Sequence, residues 1–260
     1  MLKIVRQYLF LLCCLFVDGL AAREELEIVT LQYPPYEYKD SGTVKGIAVD
    51  IVKEAFRRIK YPIRIEVYPW ARAIKKIKMG DADAIFTAFK TPDRELFADY
   101  SNEILLNQVV SLYTLKKSTI QFDGDLTKLA RYRFGIIRKV SYGEAFDNAL
   151  DKGIISFTMI SNSGESNFQM LILGRVDIVV SNRYGAKYIL TDLGSLNEVK
   201  ELHPPLQSIP SYIAFSKKRK LTRVRDKFDK GLSEMKKDGT YRKIIDNFQM
   251  HDIEKVKNLM

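Results

Sequence analysis

Apolar residues along this chain recur with two alternating periods. Glu27-Ile28-Val29-Thr30-Leu31 is short and β-branched, and it runs into the turn Tyr33-Pro34-Pro35-Tyr36. Gly46 opens a stretch in which Ala48, Ile51, Val52, Ala55, Phe56 and Ile59 share one helical face, until Pro62 ends it. Ile63 to Val67 alternates like a strand. Trp70, Ala73, Ile74 and Ile77 return to helical spacing, Gly80 closes that helix, and Asp83 to Phe86 predicts a short strand.

A second round starts near Lys116. It predicts a strand over Phe134–Ile137, then a helix headed by Ser141 that carries Ala145, Phe146 and Leu150. A strand at Phe157–Ile160 and a helix with Phe168, Leu171 and Ile172, stopped by Gly174, come next. Val176 to Val180 is nearly all apolar, as in a strand buried on both faces. The tail returns to helix: Leu221, Val224, Phe228, Leu232 and Met235 form one stripe, and Tyr241, Ile244, Ile245 and Phe248 continue beyond Asp238-Gly239. Such alternation predicts parallel sheet with covering helices, an α/β fold. Two similar rounds predict two lobes in place of one large sheet.

Residues 1–22 follow neither period. Lys3 and Arg6 make a basic leading end, Tyr8 to Val17 is uninterrupted apolar sequence, and Gly19, Ala21 and Ala22 are small. This is the layout of a secretory signal peptide cleaved after Ala21 or Ala22. As helix the apolar run would reach only about 15 Å, against roughly 30 Å of membrane hydrocarbon. Neither Cys13 nor Cys14 follows the small residue that lipid attachment to cysteine needs. Both cysteines lie in the removed part, and a thiol-free mature chain suits the oxidising periplasm.

Composition changes the picture by exclusion. Of 260 residues 46% are hydrophobic, which rules out a wholly disordered chain. Two Cys and two His leave no basis for a zinc scaffold, a disulfide framework or a haem protein. The formal charge of +10 favours anionic partners without choosing among them. Lys217-Lys218-Arg219-Lys220 is read as a solvated turn before a helix, not as a nucleic-acid contact.

Six stretches carry a resemblance. They are Tyr33-Pro34-Pro35-Tyr36-Glu37-Tyr38, Gly46-Ile47-Ala48-Val49-Asp50-Ile51 and Gly80-Asp81-Ala82-Asp83-Ala84-Ile85, then Thr91-Pro92-Asp93-Arg94 leading to Asp99-Tyr100-Ser101. Gly174-Arg175-Val176-Asp177 and Lys237-Asp238-Gly239-Thr240-Tyr241-Arg242-Lys243-Ile244 complete the set. In this order the chain resembles the bacterial periplasmic solute-binding proteins of family 3, the polar-amino-acid receptors of ABC transporters. The resemblance implies a two-lobed periplasmic-binding-protein fold, the type II clamshell, with mixed sheets, flanking helices and two hinge strands. Residues 23–110 and 212–260 would form lobe 1 and residues 111–211 lobe 2, with crossings near Val109–Thr114 and Ile209–Ala214. It also implies a periplasmic monomer that encloses a small polar, carboxylate-bearing solute and hands it to a membrane permease.

The resemblance also suggests the site. Arg94, in a turn where Pro92 can start a helix, would pair bidentately with the solute's carboxylate. Its plainer reading is a surface arginine paired with Asp93 or Glu95. Tyr33 and Trp70 would supply aromatic walls, although Trp70 also sits on a core stripe with Ala73 and Ile74. Arg72 reads as a solvated helix charge. Ser141 to Glu144 has the spacing of a capping box, and with Arg138 it could hold a second acidic group at a helix start. Asn162 to Glu165 repeats that spacing as a structural cap.

Two positions depart from the family's pattern. Asn182 stands where amino-acid-binding relatives carry the Asp that takes an ammonium group. Phe89 lines the site where relatives present a hydroxyl. An anionic or carboxylate-bearing solute is therefore the class expected, with no cofactor and no metal. No Gly-x-Ser-x-Gly, His-Glu-x-x-His or glycine-rich phosphate loop occurs, so a non-enzyme is expected. A sensory role beside a chemoreceptor or kinase, and a dehydratase-like enzyme on the same fold, are the alternatives.

Overall fold

The computed structural model describes residues 25–257, so the leader expected at residues 1–22 lies outside the described residues. The first half contains β1 (Leu26–Thr30), β2 (Tyr38–Asp40), β3 (Thr43–Lys45), α1 (Ile47–Arg58), β4 (Ile63–Val67) and α2 (Trp70–Met79). β5 (Ala84–Phe89), α3 (Pro92–Glu95), β6 (Ala98–Tyr100) and β7 (Leu106–Leu115) follow. Next come β8 (Phe134–Ile137), α4 (Glu144–Asp151), β9 (Thr158–Ser161), α5 (Gly164–Ile172), β10 (Ile178–Asn182) and α6 (Arg183–Asp192). β11 (Val199–Ser216), α7 (Thr222–Lys237) and α8 (Thr240–Lys257) complete the described chain.

The two rounds read from the sequence have the same topology. β1 lies between β4 and β5, all parallel, and β8 lies between β9 and β10, again all parallel. Each trio is flanked by one antiparallel long strand, β11 beside β5 and β7 beside β10. β7 and β11 then pair with each other, so the halves are joined in one nine-stranded sheet. The two lobes are thus joined through a shared sheet at the two crossing strands that the resemblance implies. Backbone hydrogen bonding passes through the crossing strands, which no local periodicity reveals.

The register also moves the first crossing. β10 pairs with β7 from Val110 onward, and β5 pairs with β11 from Ser211 onward. Among the described residues, Asn107–Val109 and Ser208–Pro210 bond as strands only to one another. Val110–Thr114, expected within a crossing, belongs to the second half's sheet.

Helices cover both faces of each half. In the first, α1, α7 and α8 bury Ile51, Phe56, Phe228 and Leu232 against Ile28, Phe86 and Phe215. On the opposite face α2 packs Trp70, Ala73 and Ile77 on Val29 and Ile85. Arg58 ties α1 to the tail by donating to Asp238 at 2.6 Å and to Thr240 at 2.9 Å. In the second half α4 covers Phe134, Val180 and Leu112, while α5 and α6 cover Tyr113 and Val179. Full burial of a Phe or Leu side chain stabilises the fold by about 1.5–3 kcal/mol. Among the described residues no helix is long and apolar enough to cross a membrane.

Candidate functional site

In open α/β sheets, side chains that bind ligands gather beyond the carboxyl ends of parallel strands. Here both trios end at one gap. Leu31, Tyr33 and Glu37 follow β1, Trp70 follows β4, and Thr87, Phe89 and Arg94 lie at or after the end of β5. Ile137, Val140, Ser141 and Tyr142 close β8, and Asn182 closes β10. These line one cavity with about 500 Å³ of atom-free space, including its mouth. A water-sized sphere can centre itself in about 50 Å³ of it. That suits a small solute and excludes a folded partner.

Arg94 is set in place by its own local sequence. Thr91 caps α3, Pro92 occupies the first turn, and the Arg94 amide donates to the Thr91 hydroxyl at 3.4 Å. The side chain turns inward and is 8% exposed, so the surface reading fails. Nη1 donates to the Phe89 carbonyl at 2.9 Å, and Nη2 donates across the gap to the Lys139 carbonyl at 3.1 Å. The guanidinium carbon is 5.4 Å from the Trp70 ring centroid. Among the described residues it makes no salt bridge, and burial pulls its pKa below the ordinary value. Two carbonyls use two of the five N–H groups of a guanidinium, which leaves donors for an anion.

The Trp70 ring belongs to the α2 core and also lines the cavity, with Nε1 buried and without a partner among the described residues. Arg72 is exposed and stacks on Tyr68 at 5.1 Å, as expected of a helix charge. Phe89 lines the cavity and packs into the second half's core.

Tyr33 crosses the gap. Its hydroxyl lies 2.6 Å from the Ser181 hydroxyl and accepts from the Asn182 amide at 3.2 Å. A Cβ on Gly185 would come within 2.6 Å of the Tyr33 ring, and one on Gly164 within 3.2 Å. The two helix starts therefore approach the ring only because those residues are glycine.

Asn182 is 5% exposed and has both ends of its amide engaged. Oδ1 accepts from the Gly185 amide at 2.7 Å, capping α6, and Nδ2 donates to Gln108 Oε1 at 2.8 Å. Helix α6 itself is missing from the sequence pattern, because Tyr184, Gly185 and Tyr188 obscure its stripe.

The expected second anion subsite does not form. Ser141 lines the cavity, but its hydroxyl is bonded to the Asp147 carboxylate, which also accepts from the Tyr142 amide at 2.9 Å. The start of α4 thus carries a carboxylate of its own. Its cap is Gly143, not Ser141, because the chain turns at a φ of 101° there. Arg138 is exposed and outside the lining, since the chain leaves β8 after Ile137. At α5 the cap is Ser163, which accepts from the Ser166 amide, one residue beyond the expected Asn162.

Sequence reading missed Glu37, Thr87 and Gln108. Glu37 is 1% exposed and accepts from the Thr87 hydroxyl at 2.8 Å, while Oε2 has no partner among the described residues. Burial raises its pKa well above the ordinary carboxylate value, against the lowering effect of the Thr87 bond. Thr87 has a φ of 58°, unfavourable for a β-branched residue, where β5 slips register against β11. Lys139, whose carbonyl meets Arg94, has a φ of 62°. Unfavourable backbone on both sides of one cavity is a mark of a working site. No sequence signal singles out Glu37, because Glu beside Lys39 and Asp40 reads as solvated.

A second, roomier groove, in which a water-sized sphere can centre itself in about 560 Å³, lies near Tyr36, Tyr184 and Tyr241, with Lys187 as the charged residue of its lining. It lacks the paired charges and cross-gap bonds of the first. Among the described residues no cluster of His, Cys, Asp or Glu could hold a metal ion.

Comparison with known proteins agrees with this geometry. A family model described as bacterial extracellular solute-binding proteins, family 3, matches residues 26–251. The L-cystine-binding protein TcyA of Bacillus subtilis is 22% identical over 225 residues, covering 86% of this chain and 80% of the relative. An ancestral arginine-binding protein bound to arginine superposes with a TM-score of 0.75 at 23% identity, over 86% of this chain and 98% of that one. A histidine kinase sensor domain similar to periplasmic binding proteins gives 0.77 at 16%, over 86% and 96%. The architecture is that of the two-lobed type II periplasmic binding proteins.

Proposed function

We infer that this chain, which belongs to the bacterial extracellular solute-binding proteins of family 3, captures a small carboxylate-bearing solute between two lobes and releases it to the permease of an ABC transporter. Residues 23–110 and 212–260 are assigned to one lobe and 111–211 to the other. In the same reading residues 1–22 export the chain to the periplasm, where it acts as a monomer and turns nothing over. Relatives named for binding L-cystine and histidine place amino acids first among the candidate solutes.

The observation that carries this reading is Arg94: a buried guanidinium without a carboxylate partner among the described residues, bonded to both halves and facing a small cavity. A buried cation gains most from an anion that reaches it in bidentate geometry. Tyr33, Trp70 and Phe89 would enclose the rest of the solute.

A thermal-shift screen of amino acids, di- and tricarboxylates, polyamines and short peptides tests the proposal. A true solute at a hundredfold excess over its Kd stabilises the folded chain by about 2.7 kcal/mol. Arg94→Ala should weaken that solute at least tenfold in calorimetric titration, and Arg94→Lys should not restore it, because ammonium lacks the planar fork. Equal affinity in the alanine variant would remove Arg94 from the site. The fold is shared with a sensor domain, so a sensory role is the second reading. Uptake of the identified solute, lost on deletion of the chain, separates delivery from sensing.

A further inference from the structure

We propose that the outer strand β9 joins two copies of this chain edge to edge, antiparallel and about a two-fold axis, so that their sheets become continuous. The inference goes beyond solute capture and does not depend on it. β9 lines no part of the cavity, so a single copy remains the unit that takes up and releases solute.

The two ends of the sheet differ in kind. β4 closes one end and β9 the other. β4 follows Pro62 and carries Arg64 and Glu66, and Arg64 is exposed and bonded to Glu27. Charge and proline are the usual means of keeping an open strand edge from pairing with another chain. β9 has neither. From Gly153 to Gly164 no residue is charged, in a chain of which 28% of the residues are. Its apolar side chains lie in the open: Phe157 is 58% exposed, Ile160 50% and Met159 39%.

The backbone of β9 is only half used. The Phe157 carbonyl accepts from the Phe134 amide at 2.8 Å, and the Ser161 carbonyl accepts from the Arg138 amide at 2.9 Å, so both point toward β8. Direction alternates along a strand. The N–H and C=O groups of Thr158 and Ile160 therefore point outward, where no further strand lies among the described residues.

That pattern is self-complementary. With Met159 on the two-fold axis, Thr158 of each copy faces Ile160 of the other, and each such pair can exchange both backbone bonds. The Met159 side chains meet at the axis, and Phe157 comes beside Ser161 of the second copy. Charge selects the same arrangement. The first charges on either side of the neutral run are Lys152 and Glu165, both exposed. Antiparallel pairing brings the basic end of one run to the acidic end of the other, whereas parallel pairing would bring like ends together. A chain of formal charge +10 repels its own copies, and a neutral edge is where they can approach. An edge of four residues makes a small interface, below about 1,200 Å² of buried surface, so the pair is weak and reversible.

The test is sedimentation equilibrium of the full mature chain from about 1 μM to about 1 mM. The mean mass should rise with concentration toward two copies and stop there. Ile160→Lys alters an exposed side chain and no backbone group. It should raise the dissociation constant at least tenfold, while melting temperature and solute affinity stay native. Thr158→Pro removes an outward N–H and no bond to β8, and should weaken the pair in the same way. Lys152→Glu should weaken it about threefold, and adding Glu165→Lys should restore it, because the two ends then match again.

A single-copy mass at every concentration overturns the proposal and points to an extended apolar segment of another protein as the occupant of the edge. A pair that survives Ile160→Lys overturns it as well, since the contact then lies elsewhere. Growth past two copies overturns the two-fold arrangement, because a closed pair leaves no β9 edge free. A double charge variant that stays as weak as Lys152→Glu overturns the antiparallel direction.

Discussion

Arg94 and Asn182 show how much a single side chain can be asked to do in a buried gap. Arg94 lines the cavity and is also a strut between the Phe89 and Lys139 carbonyls. Asn182 joins a helix cap, a crossing strand and the cavity wall through one amide. Its replacement by Ala should cost about 0.5–2 kcal/mol from the lost cap alone, and the bond to Gln108 goes with it. Asn182→Asp keeps the cap acceptor and adds a carboxylate. The buried carboxylate loses the bond to Gln108, so the expected outcome is lower stability in urea denaturation without solute, with solute preference shifted toward ammonium-bearing molecules in calorimetric titration. An unchanged preference would mean that the residue serves the helix and not the solute. Arg94 and Tyr33 could be singled out from sequence because they sit in motifs of recognisable order, and Trp70 because the resemblance implies an aromatic ring at its position. Glu37 stood inside one of those motifs and still gave no sign, because its buried carboxylate is held by Thr87, fifty residues away in sequence.

Among the elements, α5 and α6 limit how closely the halves can approach. Their first turns meet the Tyr33 ring through Gly164 and Gly185, neither of which needs a left-handed backbone. Gly185→Ala should therefore suit the isolated helix, where Ala is favoured over Gly by about 1 kcal/mol. In the arrangement described here its methyl group would strike the ring at 2.6 Å. The methyl group would also come within 2.9 Å of Asn182 Oδ1, so we expect a lowered melting temperature together with weaker solute binding in calorimetry. A variant that binds as tightly as the native chain would show that the ring can move aside at no cost. Strands and helices with strong periodicity were legible at this scale, often to within two residues. β11 was not, because Pro204, Pro205 and Pro210 argue against a strand until β7 and β5 are there to pair with it.

At the scale of the molecule, β7 and β11 are the only continuous backbone paths described between the halves apart from the loops that touch across the cavity. Asn107–Val109 and Ser208–Pro210 carry no third strand, so rotation about them would cost few hydrogen bonds. Solute at saturation should shrink the radius of gyration in solution scattering, and Arg94→Ala should blunt that change at equal solute concentration. An identical profile with and without solute would rule out closure as the means of capture. The amino-acid sequence by itself determined the alternation of strand and helix, the repeated half and the order of motifs, because each depends on neighbours within a few turns of chain. Only the tertiary structure decided that Glu37 is buried, that Ser141 is bonded to Asp147, that Arg138 faces outward, and that one sheet runs through both halves. Those outcomes depend on contacts made in three dimensions, with Thr87 for Glu37 and with Asp147 for Ser141, and such contacts leave no periodic trace in the sequence.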